Sequence, residues 1–146
     1  MTVHLVKLCV GVESVEQLAE WQAGRLERMR GEGLPPRLRH VTRSTPRRAE
    51  EVLEGGSIYW VIRGFIRVRQ RIVGLEETTN DEGHPACAIL LDPQLVRTSL
   101  EPFRPFQGWR YLEVARAPYD IAETGDRSTD LLPSGLAEEL RSLGLL

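Results

Sequence analysis

From Val3 to Val10 apolar residues alternate loosely around Leu5, Val6 and Leu8, and Gly11 punctuates the run, which predicts a strand. Ser14 then supplies a helix start. Its hydroxyl can accept from free backbone N–H groups of the first turn, and Gln17 is spaced to reach back as in a capping box. The helix is predicted to reach about Arg30, with Val15, Leu18, Ala19, Leu26 and Met29 on one stripe and Gly31, Gly33, Pro35 and Pro36 beyond its end. Leu38 to Thr42 reads as a short strand. Ser44-Thr45-Pro46 opens a second helix, because proline suits the first helical position. That helix is predicted to run to Glu54 with Ala49, Val52 and Leu53 inward, Arg47 paired with Glu51, and Gly55-Gly56 as its stop.

Between Ser57 and Val73 the even positions are Ile58, Trp60, Ile62, Ile66, Val68 and Ile72, and the odd ones include Tyr59, Arg63, Phe65, Arg67, Arg69 and Arg71. Period two marks a half-buried hairpin. For the parity to survive the interruption at Gly64, a three-residue turn or a bulge is expected there. Thr78 to Pro85 reads as a polar connection and Ala86 to Leu91 as a central strand. Leu95 to Leu100 and Trp109 to Val114 complete the strands, on either side of the proline-containing stretch from Pro102 to Pro105. Residues 117–133 read as an acidic surface loop, and Ser134 as the cap of a short amphipathic helix carrying Leu136, Leu140 and Leu143. Strands in succession after early helices predict an α+β fold. We expect one domain over residues 1–146, with a curled mixed or antiparallel sheet, a small barrel in outline, two helices in the N-terminal half and one short C-terminal helix.

Composition narrows the class. Charged residues make up 27% and apolar residues 41%, ordinary globular usage, and the longest apolar run, Ala86 to Leu91, is far short of the roughly 20 residues that cross a bilayer. No secretory signal is visible at the start of the chain, and Cys9 and Cys87 fall in apolar strands as free buried thiols. A cytoplasmic location is therefore expected. The net charge of −2 hides a division. Residues 1–36 carry four basic and five acidic side chains, residues 37–75 nine and three, and residues 76–146 six and thirteen, or −1, +6 and −7. Eighteen of the nineteen cations are arginine, a group suited to bidentate contact with phosphate, although a GC-rich genome produces the same bias.

The hairpin parity places Arg63, Arg67, Arg69 and Arg71 on one face with Tyr59 and Phe65, with Arg43 from the preceding segment. Cations interleaved with aromatics suit RNA, arginines holding phosphates while rings stack on bases. The competing reading is a solvated face whose arginines pair with the acidic C-terminal third. A second cluster, Phe103, Phe106, Trp109 and Tyr111 around Gln107-Gly108 and Arg110, either anchors a loop or forms a pocket for a flat ligand, with His40 as the best general-base candidate nearby. Metal spacing is lacking. His84 and Cys87 have no second pair, no glycine-rich phosphate loop occurs, and no cofactor is implied.

The segments His4-Leu5, Lys7-Leu8-Cys9-Val10-Gly11, Arg39-His40-Val41-Thr42-Arg43, Gly55-Gly56-Ser57-Ile58-Tyr59-Trp60-Val61-Ile62, Arg69-Gln70 and Phe106-Gln107-Gly108-Trp109-Arg110-Tyr111-Leu112 together resemble an alphaproteobacterial family of unknown function. That resemblance implies a cytoplasmic bacterial protein and brings no established activity. From about Thr45 to Val73 the pattern of helix, glycine turn and alternating strand is similar to the PUA-like barrels, which include ASCH and EVE domains. Many of these bind RNA or modified bases in a groove beside the barrel. The lysine-containing catalytic pattern of the enzymatic ASCH proteins has no match here. The expected function is a non-catalytic RNA- or nucleotide-binding module; the alternatives are an enzyme on a small substrate near His40, Arg43 and Trp109, or a protein-interaction module.

Overall fold

The structure, a computed structural model, describes residues 1–104 and 106–121. In chain order it contains β1 (Val3–Leu8), α1 (Val15–Gly31), β2 (Leu38–Thr42), α2 (Ala49–Leu53), β3 (Ser57–Ile62), β4 (Phe65–Thr79), β5 (Pro85–Leu91), β6 (Val96–Pro102) and β7 (Trp109–Glu113), followed by a 3-10 turn at Val114–Arg116. The seven strands form one mixed sheet in the order β2-β5-β4-β3-β1-β7, with β6 alongside β4. Only the β1–β3 pair is parallel among the described ladders. The α+β class with a curled, unclosed sheet follows directly.

The curl is made by β4. Its first half pairs with β3 and β6, its second half with β5, and the register shifts between Ile72 and Gly74 where the strand passes from one half-sheet to the other. In a flat sheet β2 and β3, three positions apart, would be separated by roughly 14 Å. Instead the rings of His40 on β2 and Trp60 on β3 lie 5.2 Å apart, nearly perpendicular, so the sheet folds back over itself. The space between the halves is filled by Val3, Leu5, Ile58, Trp60, Ile62, Val68, Ile72, Cys87, Ile89 and Leu91, with Val15, Leu18 and Leu26 of α1 and Val52 of α2 packed in. Ser14 caps α1 as expected, accepting from the Gln17 backbone N–H at 3.0 Å while the Gln17 side chain accepts from Glu13 N–H.

The hairpin between β3 and β4 corrects the sequence reading twice. The turn has two residues, Arg63 and Gly64, both with positive φ (52° and 81°), and Ile62 pairs with Phe65; this is the twist that tight hairpins favour. The alternative expected, a bulge near Gly64, is present at Arg67, which falls between the pairs Val61–Ile66 and Trp60–Val68. The extra residue sends Ile66 to the outer face with Val61, while Val68 rejoins Trp60 inside. Nor is β3 half-buried. All six of its residues are buried, because the outer face carries a second cluster of Val6, Tyr59, Val61, Ile66 and Leu112 covered by Phe103, Phe106 and Ala117. A central strand flanked on both faces has no solvent side.

The second helix is also shorter than expected. The Arg48 backbone N–H donates to the Tyr111 hydroxyl at 3.0 Å, holding the preceding residues in a turn, and Arg48 rather than Arg47 makes the two-bond contact with Glu51. Leu53 is exposed. The polar connection after β4 shrinks to Asn80–His84, because β4 continues to Thr79. Cys9 and Cys87 are buried free thiols. The acidic segment beyond residue 121 and the helix expected at Ser134 lie outside the described residues.

Two glycines with opposite surroundings test this packing. A Cβ on Gly56 would meet the Val52 and Val3 carbonyl oxygens at 2.3 and 2.5 Å, whereas one on Gly24, inside α1, meets nothing within 4 Å. We expect Gly56→Ala to lower unfolding free energy by about 3 kcal/mol and Gly24→Ala to raise it by roughly 0.5–1 kcal/mol, both measured by urea denaturation.

Candidate functional site

The arginine face expected on β4 does not form as a continuous surface. Arg67, at the bulge, is only 7% exposed; its Nε donates to the Ile62 carbonyl at 2.6 Å and its guanidinium lies 5.3 Å from the Phe65 ring. Tyr59, at 4% exposed, belongs to the outer-face cluster. Arg69 makes two 2.7 Å bonds to the Asp120 carboxylate and a third, at 3.0 Å, to the Ser57 hydroxyl. That pairing raises the Arg69 pKa and lowers that of Asp120. Phe65 is half-buried, and Arg43, Arg63 and Arg71 are exposed. An internal ion pair has thus taken one arginine of the set, and burial two of its members.

The aromatic turn is likewise anchored. The Trp109 indole N–H donates to the Ser44 carbonyl at 3.2 Å, and its ring stands edge-on to Tyr111. Arg110 is exposed and stacks over Phe106 at 4.4 Å, and Gln107 is exposed. A groove of about 880 Å³ lies between β6 and β7, bordered by Phe103, Arg110 and Tyr119. His40 is not on it. The groove takes Arg110 without His40, and neither it nor the cavity that holds His40 is lined by Gln107 or Trp109.

His40 instead lines a smaller cavity, about 160 Å³, roofed by α1 and walled by β1, β2 and β3. Alternation puts Lys7 on the same face of β1 as Val3 and Leu5, and the parallel register sets it level with Trp60. From α1 come Trp21, Gln22 and Arg25, spaced so that Trp21 and Arg25 stand four residues apart on one side of the helix. From β2 come Arg39 and His40, and Cys9 closes the end of β1.

A buried amide network fixes this geometry. Gln70, fully buried on β4, accepts from the Trp60 indole N–H at 2.9 Å and from Gln22 Nε2 at 2.8 Å. Its own amide donates to Gln22 Oε1 at 2.9 Å and to the Asp92 carbonyl at 3.0 Å. Helix α1, β3 and the chain after β5 are thereby held to one side chain. The Trp60 ring cannot turn without breaking that set, so its position against His40 is fixed as well.

The electrostatics of the cavity are one-sided. Its described lining holds the charged side chains of Lys7 and Arg25 and no carboxylate, and neither has an ion-pair partner among the described residues; Arg39 borders it from β2, but alternation turns its side chain to the other face. Arg39 makes only a long 3.4 Å contact to the Thr78 hydroxyl. Burial, reinforced by the charges of Lys7 and Arg25, depresses the His40 pKa to about 4, so the imidazole is neutral near pH 7. Its Nε2 is buried with no hydrogen-bond partner among the described residues. Burial also lowers the Lys7 pKa and pushes the Cys9 thiol up to about 11, leaving Cys9 protonated and inert.

Sequence reasoning singled out His40 but missed Lys7, Gln22, Arg25 and Gln70. The available signals were a lone lysine in an arginine-dominated chain and a glutamine on the apolar parity of β4. Among the described residues no three His, Cys, Asp or Glu side chains converge to hold a metal.

The depressed His40 pKa has a definite consequence for stability. Between pH 6.5 and about 4 the unfolded chain binds a proton at this residue that the folded chain refuses, so stability falls as pH drops through that window. His40→Phe keeps a ring against Trp60 and removes the titration. We expect its unfolding free energy to depend less on pH over that window than the wild type's, as measured by denaturant midpoints at each pH.

No helix among the described residues is long and apolar enough to cross a membrane. No curated protein and no solved structure matches the chain. The sequence model of one family, described as protein of unknown function DUF1489, matches residues 5–146, nearly the whole length over which the cavity and its supporting network are built, and the chain belongs to that family.

Proposed function

We propose that this protein is a single-domain cytoplasmic module that binds a nucleotide-like ligand, a planar ring joined to a phosphate, in the cavity beneath α1. The observation that carries this reading is the buried Nε2 of a neutral His40, without a hydrogen-bond partner among the described residues, inside a cavity whose described charged side chains are cations. A buried polar atom without a partner costs free energy unless something else supplies the bond. Uncompensated cations around it favour an anionic partner.

Size selects the ligand further. A cavity of roughly 150 Å³ admits one six-membered ring, and the volume here is comparable. Trp60 forms one wall, and Trp21, 63% exposed at the mouth, offers a free ring face for stacking. Arg25 can take phosphate oxygens in the planar, two-bond manner of guanidinium. The curled sheet with a helix over one opening agrees with the PUA-like resemblance, and the free thiols of Cys9 and Cys87 suit a reducing compartment.

The ligand can be a free nucleotide or one unit of an RNA strand. In the second case the exposed Arg43, Arg63 and Arg71 are available to phosphates outside the cavity. An enzyme assembled from His40, Arg43 and Trp109 is less favoured, since Arg43 and Trp109 do not line the cavity that holds His40.

Titration with mononucleotides should quench tryptophan fluorescence, and His40→Ala or Arg25→Ala should weaken binding about tenfold, the loss of about 1.4 kcal/mol. Tighter binding and a steeper salt dependence with a short single-stranded RNA identify a strand; equal affinity identifies a free nucleotide. Absence of quenching by every mononucleotide and RNA tested overturns the reading.

A further inference from the structure

Of the nineteen basic side chains in this protein one is lysine, and the fold puts it in the cavity. Everywhere else a cation is needed, the chain uses arginine, which holds its proton under all ordinary conditions. Several of those arginines are paired: Arg48 with Glu51 and Glu113, Arg69 with Asp120, Arg97 with Glu16. Lys7 is half-buried and shares its cavity with Arg25 and with an imidazole nitrogen, and among the described residues neither the lysine has a carboxylate partner nor the nitrogen a hydrogen-bond partner.

A lysine differs from arginine in one chemical respect that matters here: it can lose its proton and become a nucleophile. Desolvation and neighbouring cations are the two means by which proteins bring this about. Burial is present and shifts the Lys7 pKa downward, and Arg25 lines the same cavity. An ion-pairing role would call for a carboxylate, and the described lining of the cavity has none.

We propose that Lys7 is a nucleophilic amine that forms a reversible imine with an aldehyde or ketone ligand bearing an anionic group. This rests on the reading of the cavity as the ligand site and narrows its ligand to a carbonyl compound. The Nζ lone pair adds to the carbonyl carbon and the carbonyl π pair moves to oxygen, giving a carbinolamine. Neutral His40 takes a proton from the nitrogen and returns it to the departing hydroxyl. The C–O bond breaks, C=N forms, and one water leaves carrying both amine hydrogens. Hydrolysis runs the same steps backward, with no oxidant or reductant. Arg25 holds the anionic group, and Trp60 and Trp21 flank the ring.

The single lysine makes the test unambiguous. The full-length protein is incubated with pyridoxal 5′-phosphate, a one-ring anionic aldehyde, reduced with borohydride and mapped by mass spectrometry. The expected result is one adduct on Lys7, formed at least tenfold faster than on the Met1 α-amine. Pyridoxal without phosphate and the Arg25→Ala variant should each label about tenfold more slowly. Lys7→Arg and Lys7→Met should show no cavity adduct while keeping the wild-type circular dichroism spectrum. The pH–rate profile should break below the ordinary lysine value of about 10.4. Labelling at Met1 alone, or at Lys7 no faster than a lysine in a short peptide, overturns the assignment. Lys7 labelling without nucleotide binding upholds it and removes the nucleotide reading; nucleotide binding with an unreactive Lys7 does the reverse.

Discussion

A single buried amide organises the cavity and the elements around it. Gln70 lies on the inner face of β4 with no exposure, and an unsatisfied amide there would cost about 1–3 kcal/mol for each missing bond. The structure leaves none missing: the carbonyl oxygen accepts twice and the amide donates twice. These bonds end on three separate parts of the chain. The amide therefore does what apolar packing alone does not, since it fixes one rotation of α1 over the sheet and one orientation of Trp60. Cavity shape follows from both.

Charge is distributed on the same logic. Where arginines serve the fold they are neutralised locally: Arg48 bridges two glutamates over the Tyr111 ring, and Arg69 clasps Asp120. These pairs are partly exposed and contribute modestly to stability. Under α1 the pattern differs, with Lys7, Arg25, a neutral histidine and no acid among the described lining residues.

Much of the fold was legible in the residues, and the misreadings share a cause. The cap at Ser14, the stripe of α1, all seven strands and the punctuation at Gly55 and Gly64 are local signals, and each element stands within a few residues of its expected place. The parity of the hairpin was read correctly except at Phe65 and Ile66, which the Arg67 bulge reverses. Tyr59 and Arg67 were assigned to solvent because alternation tells which residues share a face, not what lies over that face. The cover here comes from Phe103, Phe106 and Ala117, some forty residues later in the chain. Arg47 and Arg48 were equally plausible partners for Glu51; a hydroxyl from Tyr111 decided between them.

By itself, then, the sequence determined the elements, the α+β class, the division of charge and the family, because propensity, capping and periodicity act over a few neighbouring residues. It also determined that there is one lysine. Only the tertiary structure decided that β4 bends at Val73, that β2 folds over β3, and that Lys7, Arg25 and His40 therefore meet. Those residues are drawn from three segments up to 33 positions apart. No local rule relates such segments. They are brought together when burial of the two half-sheets against each other, locked by Gln70, leaves one way to close.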